Sequence, residues 1–169
     1  MPEQQVPTQA PDFTLDHILG HSVSLGEFRG RTVIVMFGGR DSSEQIKKAA
    51  QTIRDDHHPD DLPILSVSDL EAVPRPARII AKSQLKKAFE EAVRDQSAQL
   101  EAAGKQPPED PAKSIVMLMD WSGEVVSSYG MSGVDKEAAG VVVDGDGQIR
   151  GSGSGEQLGD ELKAALPSS

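Results

Sequence analysis

The sequence predicts a single α/β domain with a mixed central sheet, an N-terminal β-hairpin and helices on both faces of the sheet. Three observations carry that prediction. Thr32–Phe37 (TVIVMF) and Ser114–Met119 (SIVMLM) are continuous apolar runs, as in strands buried on both faces. Segments with apolar residues at helical spacing alternate with such runs. The chain has 169 residues, which suits one core at about 100–200 residues per domain.

Taken in order, residues 1–9 are polar and Gln/Pro-rich and read as a flexible lead-in, and the domain occupies residues 10–169. Phe13–Leu15 and Ser22–Leu25 read as two short strands joined by a turn at His17–His21. After the first apolar run, Gly38-Gly39-Arg40-Asp41-Ser42-Ser43-Glu44-Gln45 is a turn rich in helix-capping residues. It opens a helix to about Asp55, with Ile46, Ala49, Ala50 and Ile53 on one face. Asp55–Asp61 is a hydrophilic loop, Ile64–Ser68 a strand, and Leu70–Arg78 an irregular Pro-bearing stretch. Lys82–Ala103 reads as one long helix, stopped by Gly104 and by Pro107, Pro108 and Pro111. This extended helix and the Pro-rich insertion span about 82–113. After the second apolar run and a short turn or helix at Val125–Gly130, Gly140–Val143 and Gln148–Arg150 form a hairpin about Asp144–Gly147. Gly151–Gly155 reads as a loop, and Glu156–Leu166 as a terminal amphipathic helix.

Composition excludes several functions. There is no cysteine, so disulfides, thiolate metal sites and cysteine-dependent redox chemistry are absent from this chain. With 17 basic and 27 acidic residues the net charge is −10, which disfavours non-specific binding to nucleic acid or anionic lipid. No apolar stretch approaches the roughly 18–20 residues of a membrane span. No basic and apolar leader is visible at the N-terminus, so a cytoplasmic location is expected. No residue pattern implies a cofactor.

A family resemblance rests on several segments in order. Ala10-Pro-Asp-Phe-Thr-Leu15, Val23-Ser-Leu-Gly-Glu-Phe-Arg-Gly30 and Thr32–Phe37 resemble the opening of redoxins in the thioredoxin superfamily. The similar branches are the peroxiredoxins (AhpC/TSA) and the membrane-tethered thioredoxin-like proteins. Met117–Gly123, Ser128-Tyr-Gly130 and Gly140–Ile149 resemble later redoxin segments, while residues 70–113 match poorly. The resemblance implies a thioredoxin-like three-layer α/β/α fold. It also implies a redox site that this sequence does not fill. Counted from Phe37, the two positions of the thioredoxin-type cysteine pair carry Ser42 and Gln45. The stretch where thioredoxins place a cis-proline is Ala138-Ala139-Gly140.

The candidate site is therefore the vestigial loop Arg40, Asp41, Ser42, Ser43, Glu44 and Gln45. A helix N-terminus keeps its free N–H groups and its dipole without any cysteine. The loop either caps itself through Asp41 or Ser42, or receives a carboxylate from a ligand or partner, with Arg40 adding charge and Gly38-Gly39 allowing close approach. A Ser42 nucleophile would need a nearby base, and His57 and His58 lie about 20 Å away along the helix. His57 and His58, amid Asp55, Asp56, Asp60 and Asp61, are weak metal candidates. Asp144-x-Asp146-Gly147 lacks the acidic residue of a calcium loop and reads as a turn. Gly151-Ser-Gly-Ser-Gly155 lacks the lysine of a phosphate-binding loop. The functional expectation is a non-catalytic binding or regulatory module, with a protein partner or self-association through helix 82–103. The alternative is an enzyme with a non-thiol mechanism at residues 40–45.

Overall fold

The computed structural model describes residues 7–111 and 113–167. Seven strands form one sheet: β1 (Thr14–His17), β2 (Ser22–Ser24), β3 (Val33–Gly38), β4 (Ile64–Asp69), β5 (Val116–Asp120), β6 (Ala139–Val143) and β7 (Ile149–Ser154). Their spatial order is β2-β1-β5-β4-β3-β6-β7. The continuous apolar runs sit where such runs belong. The β3, β4 and β5 strands are parallel neighbours in the middle, with Val35 opposite Leu65 and Val67 opposite Leu118. The remaining pairs are antiparallel.

Strand alternation splits the core in two. Val33, Val35, Phe37, Leu65, Val67, Leu118 and Val141 face one side, beneath Phe13, Val23, Leu25, Val126 and Tyr129. Ile34, Met36, Ile64 and Val142 face the other, against helices α1 (Ser43–Asp56) and α4 (Leu158–Ala165) through Ala49, Ile53, Leu158 and Leu162. The short helix α3 (Glu124–Ser128) lies on the first face, its amides held by Asp120, whose carboxylate accepts from the N–H groups of Gly123 (3.1 Å) and Val126 (3.0 Å). The thioredoxin-like α/β fold implied by the resemblance is the fold observed.

Several boundaries differ from expectation. The long helix α2 runs Arg78–Ala102, starting four residues before the expected Lys82. It belongs to neither apolar cluster, and its link to the sheet is local: Phe89 meets the His17 ring edge-on at 5.5 Å. Elsewhere it lies beside α1, where Gln99 donates to the Gln51 carbonyl and the Asp55 carboxylate. Gly151–Ser154 is strand, not loop. A Cβ on Gly151 would stand 2.5 Å from Ala165 Cβ, and one on Gly153 2.7 Å from Glu161 Cβ. These glycines let α4 approach β7. Of the expected lead-in, residues 1–6 lie outside the described residues. Residues 8–10 are paired with 147–149, since Ile149 donates to Thr8 and Ala10 to Gly147. The Asp144 turn is held by its own carboxylate, which accepts from the Asp146 and Gln148 amides and from Arg150 Nε. The Gln148 amide first, and then the other donors, hold this carboxyl below the usual carboxylate range.

Candidate functional site

At the end of β3 the chain passes through Gly38 and Gly39, makes a 3-10 turn at Arg40–Ser42, and enters α1. The glycine pair is demanded by its own neighbours. A Cβ on Gly38 would lie 2.8 Å from Ile46 Cγ1, and one on Gly39 would lie 2.7 Å from Asp135 Cα. The approach expected for a ligand is thus taken by Ile46 of α1 and by Asp135 of the loop that precedes β6.

Ser42 is fully buried. Its hydroxyl donates to the Val134 carbonyl at 2.5 Å and accepts from the Gly39 amide at 3.0 Å. This corrects the capping expectation, because no side chain caps the first turn of α1. It also removes the serine nucleophile: one neighbour is a carbonyl and the other an N–H, and neither can take a proton from the hydroxyl. One turn further, Gln45 Oε1 accepts from the Ala138 amide at 2.8 Å, and Ala138 in turn accepts from the Gly155 amide. A proline in this stretch would lack that N–H. Gln45 therefore satisfies a backbone donor of the stretch 138–140.

Ala139 and Gly140 continue into β6, and a Cβ on Gly140 would press on the Val35 carbonyl at 3.0 Å. The other loop members face outward. Arg40, Asp41, Ser43 and Glu44 are exposed, with Ser43 Oγ donating to the Arg40 carbonyl and Glu44 3.7 Å from Lys47. Lys48 pairs with Glu156 at 3.2 Å beside Gln45. The structure thus joins Gln45 to Ala138 and Ser42 to Val134 but leaves the charged members of the loop apart.

The histidine pair closes α1, and His58 Nδ1 lies 3.7 Å from the Asp60 carboxylate. His58 Nδ1 accepts from the Asp60 amide, so Nε2 carries the proton and donates to the Gln106 carbonyl at 2.8 Å. Both nitrogens are spent, which leaves no lone pair for a metal. Among the described residues no group of three or more metal-ligating side chains gathers.

One buried cation escaped the sequence reading. Arg54, almost inaccessible, donates to the Leu62 carbonyl at 2.7 Å and to Gln96 Oε1 at 3.2 Å. Burial lowers its pKa to about 10, against the pull of Asp60. Gln96 passes the link to Ser114, and Ser114 to the Pro111 carbonyl. This chain fastens α2 and the Pro-rich segment to α1. The only sequence signal was spacing, with Arg54 one turn beyond Ala50 at the margin of the apolar face.

Two clefts lie away from residues 40–45. One of ≈ 280 Å³ sits between the C-terminal ends of α1 and α2, lined by Arg54, Asp55, Gln99 and Lys105. The other, of ≈ 450 Å³, separates α2 from the β1–β2 turn and is lined by Asp16, His17, Ile18, Gly20, Lys82, Ser83, Lys86 and Met119.

With this geometry established, comparison with known proteins assigns the lineage. The AhpC/TSA family matches residues 6–152. The chain belongs to the AhpC/TSA family. No curated protein matches it significantly. Among solved structures, an uncharacterized conserved protein from Geobacillus kaustophilus is 17% identical with a TM-score of 0.63, covering 100% of this chain and 80% of its own. The exposed lipoprotein thioredoxin of Streptococcus pneumoniae is 19% identical with a TM-score of 0.61, over 92% of this chain and 98% of its own. A thiol:disulfide interchange protein from Bacteroides is 24% identical with a TM-score of 0.58, over 95% and 86%. At these identities the likeness shows the fold. This AhpC/TSA member carries no cysteine, and among the described residues no helix is long and apolar enough to cross a membrane.

Proposed function

We propose that this AhpC/TSA member is a non-catalytic binding module on a redoxin scaffold. The observation that carries the reading is the use made of Ser42 and Gln45. Both are turned inward and spent on the backbone of residues 134–138. A thiolate serves redoxins as nucleophile and electron store together, and a serine hydroxyl bonded to a carbonyl is neither. The former reactive turn acts instead as a joint between α1 and the loop before β6. Binding then falls to other surfaces, and α2 is the element most nearly independent of the two apolar clusters. The test is an assay of the purified chain against hydrogen peroxide and against a protein disulfide with a dithiol donor. Rates equal to buffer are expected for both; turnover above buffer overturns the reading.

A further inference from the structure

Between Glu71 and Glu90 the sequence holds Arg75, Arg78, Lys82, Lys86 and Lys87 and no acidic residue, in a chain of net charge −10. Among the described residues none of these five makes an ion pair, although acids outnumber bases across the chain. Arg78 rests on the Trp121 ring at 4.8 Å, with Lys82 at 5.9 Å, and Arg78 Nε is buried without an acceptor.

The helix geometry gathers these charges at a concave place. Ile79, Lys82, Ser83 and Lys86 stand at i, i+3, i+4 and i+7, hence on one face of α2. The last three line the ≈ 450 Å³ cleft opposite Asp16–Gly20. Among the described residues three large apolar side chains are exposed, and all belong to this region: Ile79 at 81%, Ile80 at 62% and Leu19 at 46%. Leu19 lies between Ile18 and Gly20, two lining residues.

Charge and shape together select the occupant. A small anion would neutralise the lysines and leave three apolar side chains in water. A bilayer would cover those side chains, but would set the Asp16 carboxylate and a hollow against anionic headgroups. An acidic segment with a bulky apolar residue satisfies both features. Outside this stretch the chain has 12 basic and 27 acidic residues, so its average charge disfavours such a segment elsewhere.

We propose that the cleft between the first half of α2 and the β1–β2 turn docks an extended acidic segment of a partner protein. Its carboxylates lie on Lys82 and Lys86, and an aliphatic or aromatic side chain packs between Ile79 and Leu19. The inference rests on the binding-module reading and adds the chemistry of what is bound.

The full chain is panned against a heptapeptide library with Glu at alternate positions and the other positions randomised. A matched library with Lys at the fixed positions is the control. Enrichment from the Glu library alone, in sequences carrying large apolar residues, is expected. For an enriched peptide followed by fluorescence anisotropy, K82E/K86E weakens binding by about tenfold or more, K82A/K86A and I79S by less, and K113E by under about twofold. Each variant's circular dichroism is compared with the parent's, and the alanine and serine variants keep the test decisive should the charge reversal misfold. Equal enrichment from both libraries, or equal loss in K113E, overturns the proposal. So does K82/K86-dependent sedimentation with phosphatidylserine vesicles in the absence of peptide binding, which assigns the face to a bilayer. Concentration-dependent dimerisation abolished by K82E/K86E without peptide binding overturns it in favour of a second copy. Peroxide or disulfide turnover would overturn the binding-module reading itself, whereas a failed panning of an inert chain removes only this site.

Discussion

At the scale of single residues, the polar side chains of Ser42 and Gln45 serve the structure of the turn after β3. Ser42 bridges an amide and a carbonyl in a fully buried position, and Gln45 satisfies the Ala138 amide. Tyr129 shows the same economy. It is the only tyrosine of the chain, its ring packs on Phe37 (centroids 5.1 Å apart) and Phe13 (6.1 Å), and its hydroxyl donates to the Pro11 carbonyl at 2.7 Å. Burial, and secondarily Asp12, raises its pKa above the usual 10.0. The folded phenol then holds its proton more tightly than the unfolded one. Its contribution to stability is complete below about pH 10 and is lost as the pH rises above that value. Tyrosinate absorbance is therefore expected to appear together with loss of the far-ultraviolet circular dichroism, and not before it. A phenol that titrates near its ordinary value in a chain with native dichroism would contradict this packing.

At the scale of elements, α2 is one helix with two unlike halves. Its second half buries Phe89, Gln96 and Leu100 and is tied to α1 through Arg54. In its first half the same stripe of the helix carries Lys82 and Lys86, which line a cleft, and Arg78, which rests on the Trp121 ring. Few buried contacts mean a low free energy of local opening. Amide hydrogen exchange is expected to be faster over residues 79–88 than over 90–101, by roughly tenfold or more. Uniform protection along α2 would show that the first half is anchored as firmly as the second. The spacing of Leu85, Phe89, Val93, Gln96 and Leu100 announced a helix, but it could not announce this division. Charge alone does not say whether a lysine stripe faces water or a neighbouring hairpin.

At the scale of the whole molecule, the redoxin scaffold persists without cysteine because strand packing and the turn after β3 are separable. The parallel strands β3, β4 and β5 need only apolar side chains on both faces. The turn after β3 needs only a hydroxyl and an amide that fit the loop at 133–138. Restoring two thiols is consequently not expected to restore activity. In S42C/Q45C the first thiol would be buried against Val134, where desolvation raises a thiol pKa and suppresses the thiolate. The second would forfeit the bond to Ala138. The double variant should melt at a lower temperature than the parent, show no peroxide reduction, and react with a thiol reagent more than about tenfold slower than free cysteine. Reaction at the rate of free cysteine would mean that the turn opens readily in the native state.

The sequence by itself determined the central strands β3, β4 and β5, the turn at Asp144, the helix after Gly39 and the absence of thiol chemistry. Each of these depends on neighbours within a few positions or on composition, so a linear reading reaches it. Only the tertiary structure decided what Ser42 and Gln45 do, because their partners lie 92 and 93 positions away. The same distance hid Asp135 behind Gly39 and made a capping role the natural expectation for Ser42. Gly151 and Gly153 were read as loop residues for a related reason. Glycine lowers strand propensity locally, and only the closeness of α4 shows why a strand carries it here. Hydroxyls, amides and glycines record the demands of whatever stands against them, and folding alone brings that neighbour into place.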